Sequence, residues 1–238
     1  MMAPEPGPQA TPTQAEEQGA ALALLPIAAT LDFYALPDSL QAQTFVQFTP
    51  QIIAYLAFGF WATHNQAIVA RMGLKPCGFR AGLHWGVLTG LLLGSFNSLI
   101  ILNIVPYLGY DISFLKATPH AQLPVFLMVP WFICSIALFV EVNFRGFILG
   151  RLLAWGSQLF GPKLSFLAGT TAVGISAGTF AFDPFMVNTF QHLHWIALWD
   201  GLIWGSIYLR TRNLYIPIVA HSVEVIVMYS AMRLALMS

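Results

Sequence analysis

Six long apolar runs, separated by short polar breaks, set the pattern of the chain. They extend over Phe48 to Val69, Gly82 to Leu108, Leu123 to about Gly150, Leu164 to Phe182, His192 to Leu209 and Leu214 to Met232. Each approaches or exceeds the ~20 residues that a helix needs to cross a bilayer. A seventh run, Ala20 to Leu36, is shorter and carries Pro26 and Asp32. It reads either as a first span or as a helix lying at the interface. The pattern predicts an all-α, polytopic transmembrane helix bundle of six or seven spans. In the second long run, Gly86, Gly90, Gly94 and Ser98 recur at every fourth position, a smooth stripe for close helix packing. The run from Leu164 is rich in Gly, Ala, Ser and Thr, which predicts a place in the bundle interior. The run from Leu123 is longer than the bilayer requires, so it tilts or projects beyond the hydrocarbon.

Composition agrees with this pattern. Of the 238 residues, 57% are hydrophobic and 8% charged, with a mean hydropathy of +0.70. A soluble domain carries about 25% charged residues. The net charge of zero gives no reason to expect a nucleic-acid partner. The two cysteines, Cys77 and Cys134, form neither a metal motif nor a disulfide framework. Residues 1–19 are rich in Pro, Gln and Glu, lack the basic start of a cleavable signal, and are expected to form a disordered tail. Residues 20–238 form the helical membrane domain.

Basic residues orient the bundle. Arg71, Lys75 and Arg80 lie in one loop, Arg151 and Lys163 in another, and Arg210 and Arg212 in a third. In the order of spans these loops alternate, so all three fall on one side, the cytoplasmic one. With seven spans the N-terminus is then cytoplasmic; Arg233 is the one basic residue against this order.

Ionisable residues inside apolar spans are costly and mark function or structural pairing. Glu141 and Arg145 are four apart and share one helix face. His221 and Glu224 are three apart and do the same. Asp183 precedes Pro184 at a span end, and Asp200 lies within the sixth run. For each, a structural ion pair, interhelical hydrogen bond or turn cap competes with a functional role. Two carboxylates and an imidazole from separate spans could converge on a water or a cation. His192 and His194, two apart, do not share a helix face and read as interfacial. Trp195, Trp199 and Trp204 read as belt or packing aromatics.

The phrases Glu141-Val142-Asn143-Phe144-Arg145-Gly146 and Arg210-Thr211-Arg212-Asn213-Leu214-Tyr215-Ile216-Pro217-Ile218-Val219-Ala220-His221 resemble the CAAX-protease and bacteriocin-processing (Abi) family of intramembrane endopeptidases. The resemblance covers about residues 71–232. It implies hydrolysis of a peptide bond at or within the membrane, with a peptide or membrane-protein substrate or partner and the bilayer itself as surroundings. The family's first motif is Glu-Glu-x-x-x-Arg, its second Phe-x-x-x-His, and its third His-x-x-x-Asn. Glu141, Arg145 and His221 match. Val140 stands at the leading Glu, which in the family activates a water. Pro184, after Phe180 and beside Asp183, stands at the second-motif His; Phe190 and His194 also fit that motif's spacing, but lie near His221. Val225, beside Glu224, stands at the Asn.

The resemblance leaves two outcomes. In the first, the catalytic site has drifted to Glu141, Arg145, Asp183, His221 and Glu224, with Glu141 as base and His221 orienting a water. Such a donor set suits a divalent metal such as zinc on His221, Asp183 and Glu224, or no metal at all. In the second, the chain keeps the fold as a membrane scaffold or binding partner and has lost proteolysis. A proton-linked carrier using Glu141, Asp200 and His221 is a third reading, though no inverted repeat is visible. The expected location is the inner membrane of a bacterium.

Overall fold

The computed structural model describes residues 17–160 and 165–236. It is all-helical among those residues. Seven apolar helices and one short one make the bundle: α1 (Ala20–Tyr34), α2 (Thr49–His64), α3 (Phe79–Leu99, prolonged through Ile100–Ile104 to Val105–Tyr107), α4 (Val125–Phe160), α5 (Ser165–Ala181), α6 (Pro184–Phe190), α7 (Ile196–Thr211) and α8 (Tyr215–Leu236).

Three helical stretches are long and apolar enough to cross a membrane: Ile68–Tyr107, Val125–Phe160 and Tyr215–Leu236. The other apolar helices are shorter than their hydrophobic runs. The run from Phe48 to Val69 is cut because Asn65 is extended and Ala67 takes a left-handed conformation (φ 54°), which ends α2 at His64. At ~1.5 Å per residue, the 16 residues of α2 or α7 span about 24 Å, short of the ~30 Å hydrocarbon core.

The distribution of side chains is that of a protein solvated by lipid. Large apolar residues such as Leu92, Phe126 and Phe166 project outward, while Asn97, Glu141, Arg145, Asp200 and Glu224 are buried. The small-residue stripe of α3 explains its register against α8. A β-carbon at Gly82 would lie 2.3 Å from Tyr215 Cβ, at Gly86 2.6 Å from Val219 Cβ, and at Gly90 2.5 Å from the Ala220 carbonyl oxygen. The two backbones approach this closely only because the glycines have no side chain. α5, expected from its small residues to lie in the interior, packs one face on α7, where a β-carbon at Gly201 would meet Ala177 at 2.9 Å, and leaves Phe166, Leu167 and Ile175 on an exposed face.

One end of the bundle gathers the basic loops. Leu214 N–H donates to the Gly73 carbonyl (3.1 Å) and Asn213 Nδ2 to the Gly78 carbonyl (2.8 Å). At the same end Glu17 forms an ion pair with Arg151 (3.0 Å) and accepts hydrogen bonds from Arg71 Nη1 (3.5 Å) and Trp61 Nε1 (3.1 Å). Residues 1–16 of the expected tail lie outside the described residues, whereas Glu17 and Gln18 are bonded to the bundle, Gln18 through Asn65. An apolar cluster that includes Trp61, Phe147, Ile148, Leu152, Tyr208 and Leu214 fills this end.

Candidate active site

The site begins on α4. From Val142 to Leu149 this helix winds as a π-helix, a wider turn that is rare and recurs at functional sites. Ser176 Oγ of α5 donates to the Phe144 carbonyl within it (2.8 Å). Glu141 stands at its start and Arg145 inside it, and Arg145 Nη1 donates to Glu141 Oε1 at 3.1 Å. Both are fully buried. The guanidinium lies over the Phe180 ring of α5 (4.6 Å) and near the Trp204 ring of α7 (5.3 Å), two aromatic faces that favour a cation.

His221 of α8 completes the group. Its Nδ1 lies 2.9 Å from Glu141 Oε1, the same oxygen that Arg145 reaches. A carboxylate only accepts, so Nδ1 carries the hydrogen and Nε2 of a neutral ring keeps its lone pair. Trp204 stacks on the imidazole at 4.8 Å and 26°. Glu141 therefore ties α4 to α8.

Glu224, one turn further on, belongs to a different network. Asn97 of α3 donates from Nδ2 to Glu224 Oε1 (2.6 Å) and to Asp200 Oδ1 and Oδ2 of α7 (3.2 and 3.3 Å). Trp199 Nε1 donates to Asn97 Oδ1 (3.1 Å), so the amide is held with its NH2 toward the carboxyls. His221 and Glu224 share a helix face, yet one serves α4 and the other joins α3 to α7.

Asp183 is the N-cap of α6. It accepts from the backbone N–H groups of Phe185 (3.1 Å) and Met186 (3.3 Å) and from Gln51 Nε2 (2.9 Å). This is the helix-start bonding that the Asp-Pro pair favours, with Pro184 at the first helical position, where its missing N–H is harmless.

Among the described residues, no three His, Cys, Asp or Glu side chains are grouped to hold a metal ion. The set His221, Asp183 and Glu224 does not fit one: Asp183 faces the start of α6, Glu224 faces Asn97, and His221 faces Glu141. His192 stacks on Tyr110 (5.1 Å) and His194 packs edge-on to Phe182 (5.5 Å).

A cavity of about 570 Å³ runs beside these groups. His221, Glu224, Asp200, Asp183, Asn143 and Arg233 are among its polar lining, and most of the wall is apolar. Along α8, Glu224, Met228, Met232 and Leu236 line it in steps of four, so it follows one helix face for about 18 Å at ~1.5 Å per residue. Val140 and Val225 also line it, whereas Glu141 does not.

Four contributors escaped the sequence reading. Asn97 was legible only as a polar residue beside Ser98 at the end of the glycine stripe. Trp204, read as a packing aromatic, covers His221. Phe180 was noted only as a motif position, yet it lies under Arg145. Asn143 lines the cavity between two motif residues.

No curated protein and no solved structure matches this chain. Residues 122–227 match the family model described as type II CAAX prenyl endopeptidase Rce1-like, which is consistent with the CAAX-protease and bacteriocin-processing family that the motifs resemble.

Proposed function

We propose that this protein uses the family's membrane bundle and cavity to bind an apolar chain or membrane segment and does not hydrolyse peptide bonds by the family mechanism. One observation carries this reading. Val140 and Val225, standing where the family motifs place the water-activating Glu and the Asn, both line the cavity. A valine neither accepts a proton nor donates to an oxyanion. Pro184, at the second-motif His, serves as the first residue of α6. The surviving Glu141 does not line the cavity, and one of its oxygens already accepts from Arg145 and His221. The volume is within the ~300–1,000 Å³ usual for ligand cavities. In this reading α1 to α5, α7 and α8 give seven spans, the shorter ones flanked by a thinned bilayer. The end of the bundle bearing Arg71, Arg212 and Arg151, the last a buried residue of α4 rather than of the loop its sequence context suggests, faces the cytoplasm of a bacterial cell, as does the N-terminus.

A second reading is favoured by the Glu141–His221 bond. A carboxylate that orients an imidazole lining a cavity is an arrangement that can activate a water, so a drifted endopeptidase stays in play.

Both are tested with the full chain in nanodiscs, incubated with prenylated and leader-type peptides and analysed by mass spectrometry. We expect no cleavage above the protein-free control. We also expect a photoreactive farnesyl peptide to crosslink to α8 residues such as Met228. Cleavage that disappears in His221→Ala would overturn the first reading in favour of the second. Absence of crosslinking would overturn the binding role.

A further inference from the structure

The floor of the cavity carries more acceptors than its neighbours can satisfy. Asp200 and Glu224 present four carboxyl oxygens in an apolar interior, both side chains being at least 95% buried. Among the described residues, the two carboxyls are hydrogen-bonded to each other and to the Asn97 amide, whose single NH2 has two hydrogens. That amide is held in place by Trp199 and cannot turn to supply more. No donor reaches Glu224 Oε2. Independently, Asn143 Oδ1, on α4 and lining the same cavity, is buried with no hydrogen-bond partner. Arg145, the nearest guanidinium, gives its Nη1 to Glu141. Buried polar groups are partnered in nearly all proteins, and buried carboxyls above all.

We propose that Asp200 and Glu224 form a receptor for a primary ammonium group carried on an apolar chain. The inference rests on the binding reading above and names its ligand class. An ammonium has three hydrogens to give, and Arg145, whose charge acts on both carboxyls, makes no hydrogen bond to either among the described residues, its Nη2 having no partner. A metal ion is a poorer match, because among the described residues no third carboxyl or imidazole is grouped with the pair to hold one. The walls suit the chain: beyond Glu224 the cavity is faced by Val225, Met228 and Met232 of α8 and by Ile133 and Ile136 of α4. The alternative for the same residues is hydrogen-bonding glue between α3, α7 and α8, which predicts a loss of stability on substitution but no ligand preference.

The test compares dodecylamine with dodecanol, two probes of equal chain length, titrated against the full-length protein in nanodiscs of neutral lipid. Binding is read by thermal shift and by the loss of farnesyl-probe crosslinking when the amine or alcohol is present before irradiation. We expect wild type to bind the amine at least about tenfold more tightly than the alcohol, the scale of one or two charged hydrogen bonds. Asp200→Asn and Glu224→Gln, each checked for a monodisperse elution profile, should weaken amine binding more than dodecanol binding and so reduce that preference. Equal binding of the two probes by wild type overturns the proposal and leaves the cavity's binding role standing; this comparison needs no variant to fold. A preference that survives both substitutions also overturns it. Failure of both probes to bind removes the cavity role and the ammonium receptor together.

Discussion

His221 and Glu141 lie 80 positions apart in the chain and 2.9 Å apart in space, nitrogen to oxygen. The same carboxylate oxygen takes the Arg145 guanidinium at 3.1 Å. One buried acceptor thus joins α4 to α8 and fixes the orientation of the imidazole. Removing one member of a buried ion pair leaves an uncompensated charge, which costs about 3–5 kcal/mol. Arg145→Ala and Glu141→Ala should each lower the thermal midpoint strongly, and the double variant should lose less than the two single effects combined. Melting of the purified variants in detergent measures both; additive losses would mean that the pair is not coupled.

The α3–α8 contact gives a prediction without electrostatics. A β-carbon at Gly90 would sit 2.5 Å from the Ala220 carbonyl oxygen, and that neighbour is backbone. Gly90→Ala should therefore destabilise by about 1–3 kcal/mol, as overpacking does. At Gly59 of α2 a β-carbon meets nothing within 4 Å, so Gly59→Ala should be neutral or slightly stabilising. Equal midpoints for the two variants would disprove the close approach of α3 and α8.

Glu17 stands against Arg151, which is buried and lies over the Trp61 ring at 4.1 Å. Glu17→Ala leaves that buried guanidinium without its carboxylate. The expected result is faster protease cleavage near residue 20 and a lower thermal midpoint, with Glu17→Asp giving a smaller change. Unchanged cleavage in Glu17→Ala would show that the N-terminal segment is held by other contacts.

The two cysteines report orientation. Cys77 is exposed in the short turn Pro76–Gly78 between Lys75 and the start of α3, while Cys134 is exposed on the apolar face of α4. A membrane-impermeant maleimide needs a thiolate in water. It should label Cys77 in inverted vesicles and not in right-side-out ones, and should label Cys134 in neither. Labelling of Cys77 from outside would reverse the proposed topology.

Much of this arrangement follows from the sequence by itself. Apolar runs broken by polar loops determine an all-helical bundle in lipid, because a backbone in hydrocarbon must satisfy its own hydrogen bonds. The four-residue spacing of Glu141 and Arg145 determines their pairing, since both sit on one face of one helix. The stripe Gly82, Gly86, Gly90 and Gly94 marks a close helix contact, though not its partner. Partners across the bundle were decided by the tertiary structure alone. Helical periodicity places His221 and Glu224 on one face, but the angle at which α3, α4 and α7 cross α8 sends the first to Glu141 and the second to Asn97 and Asp200. It also turns Asp183 toward its own helix start and Trp204 onto the imidazole. The lengths of the spans belong to the tertiary structure too, because a left-handed residue such as Ala67 ends a helix inside an apolar run that composition reads as continuous. Local spacing determines which side chains travel together, and only packing between distant helices decides what they meet.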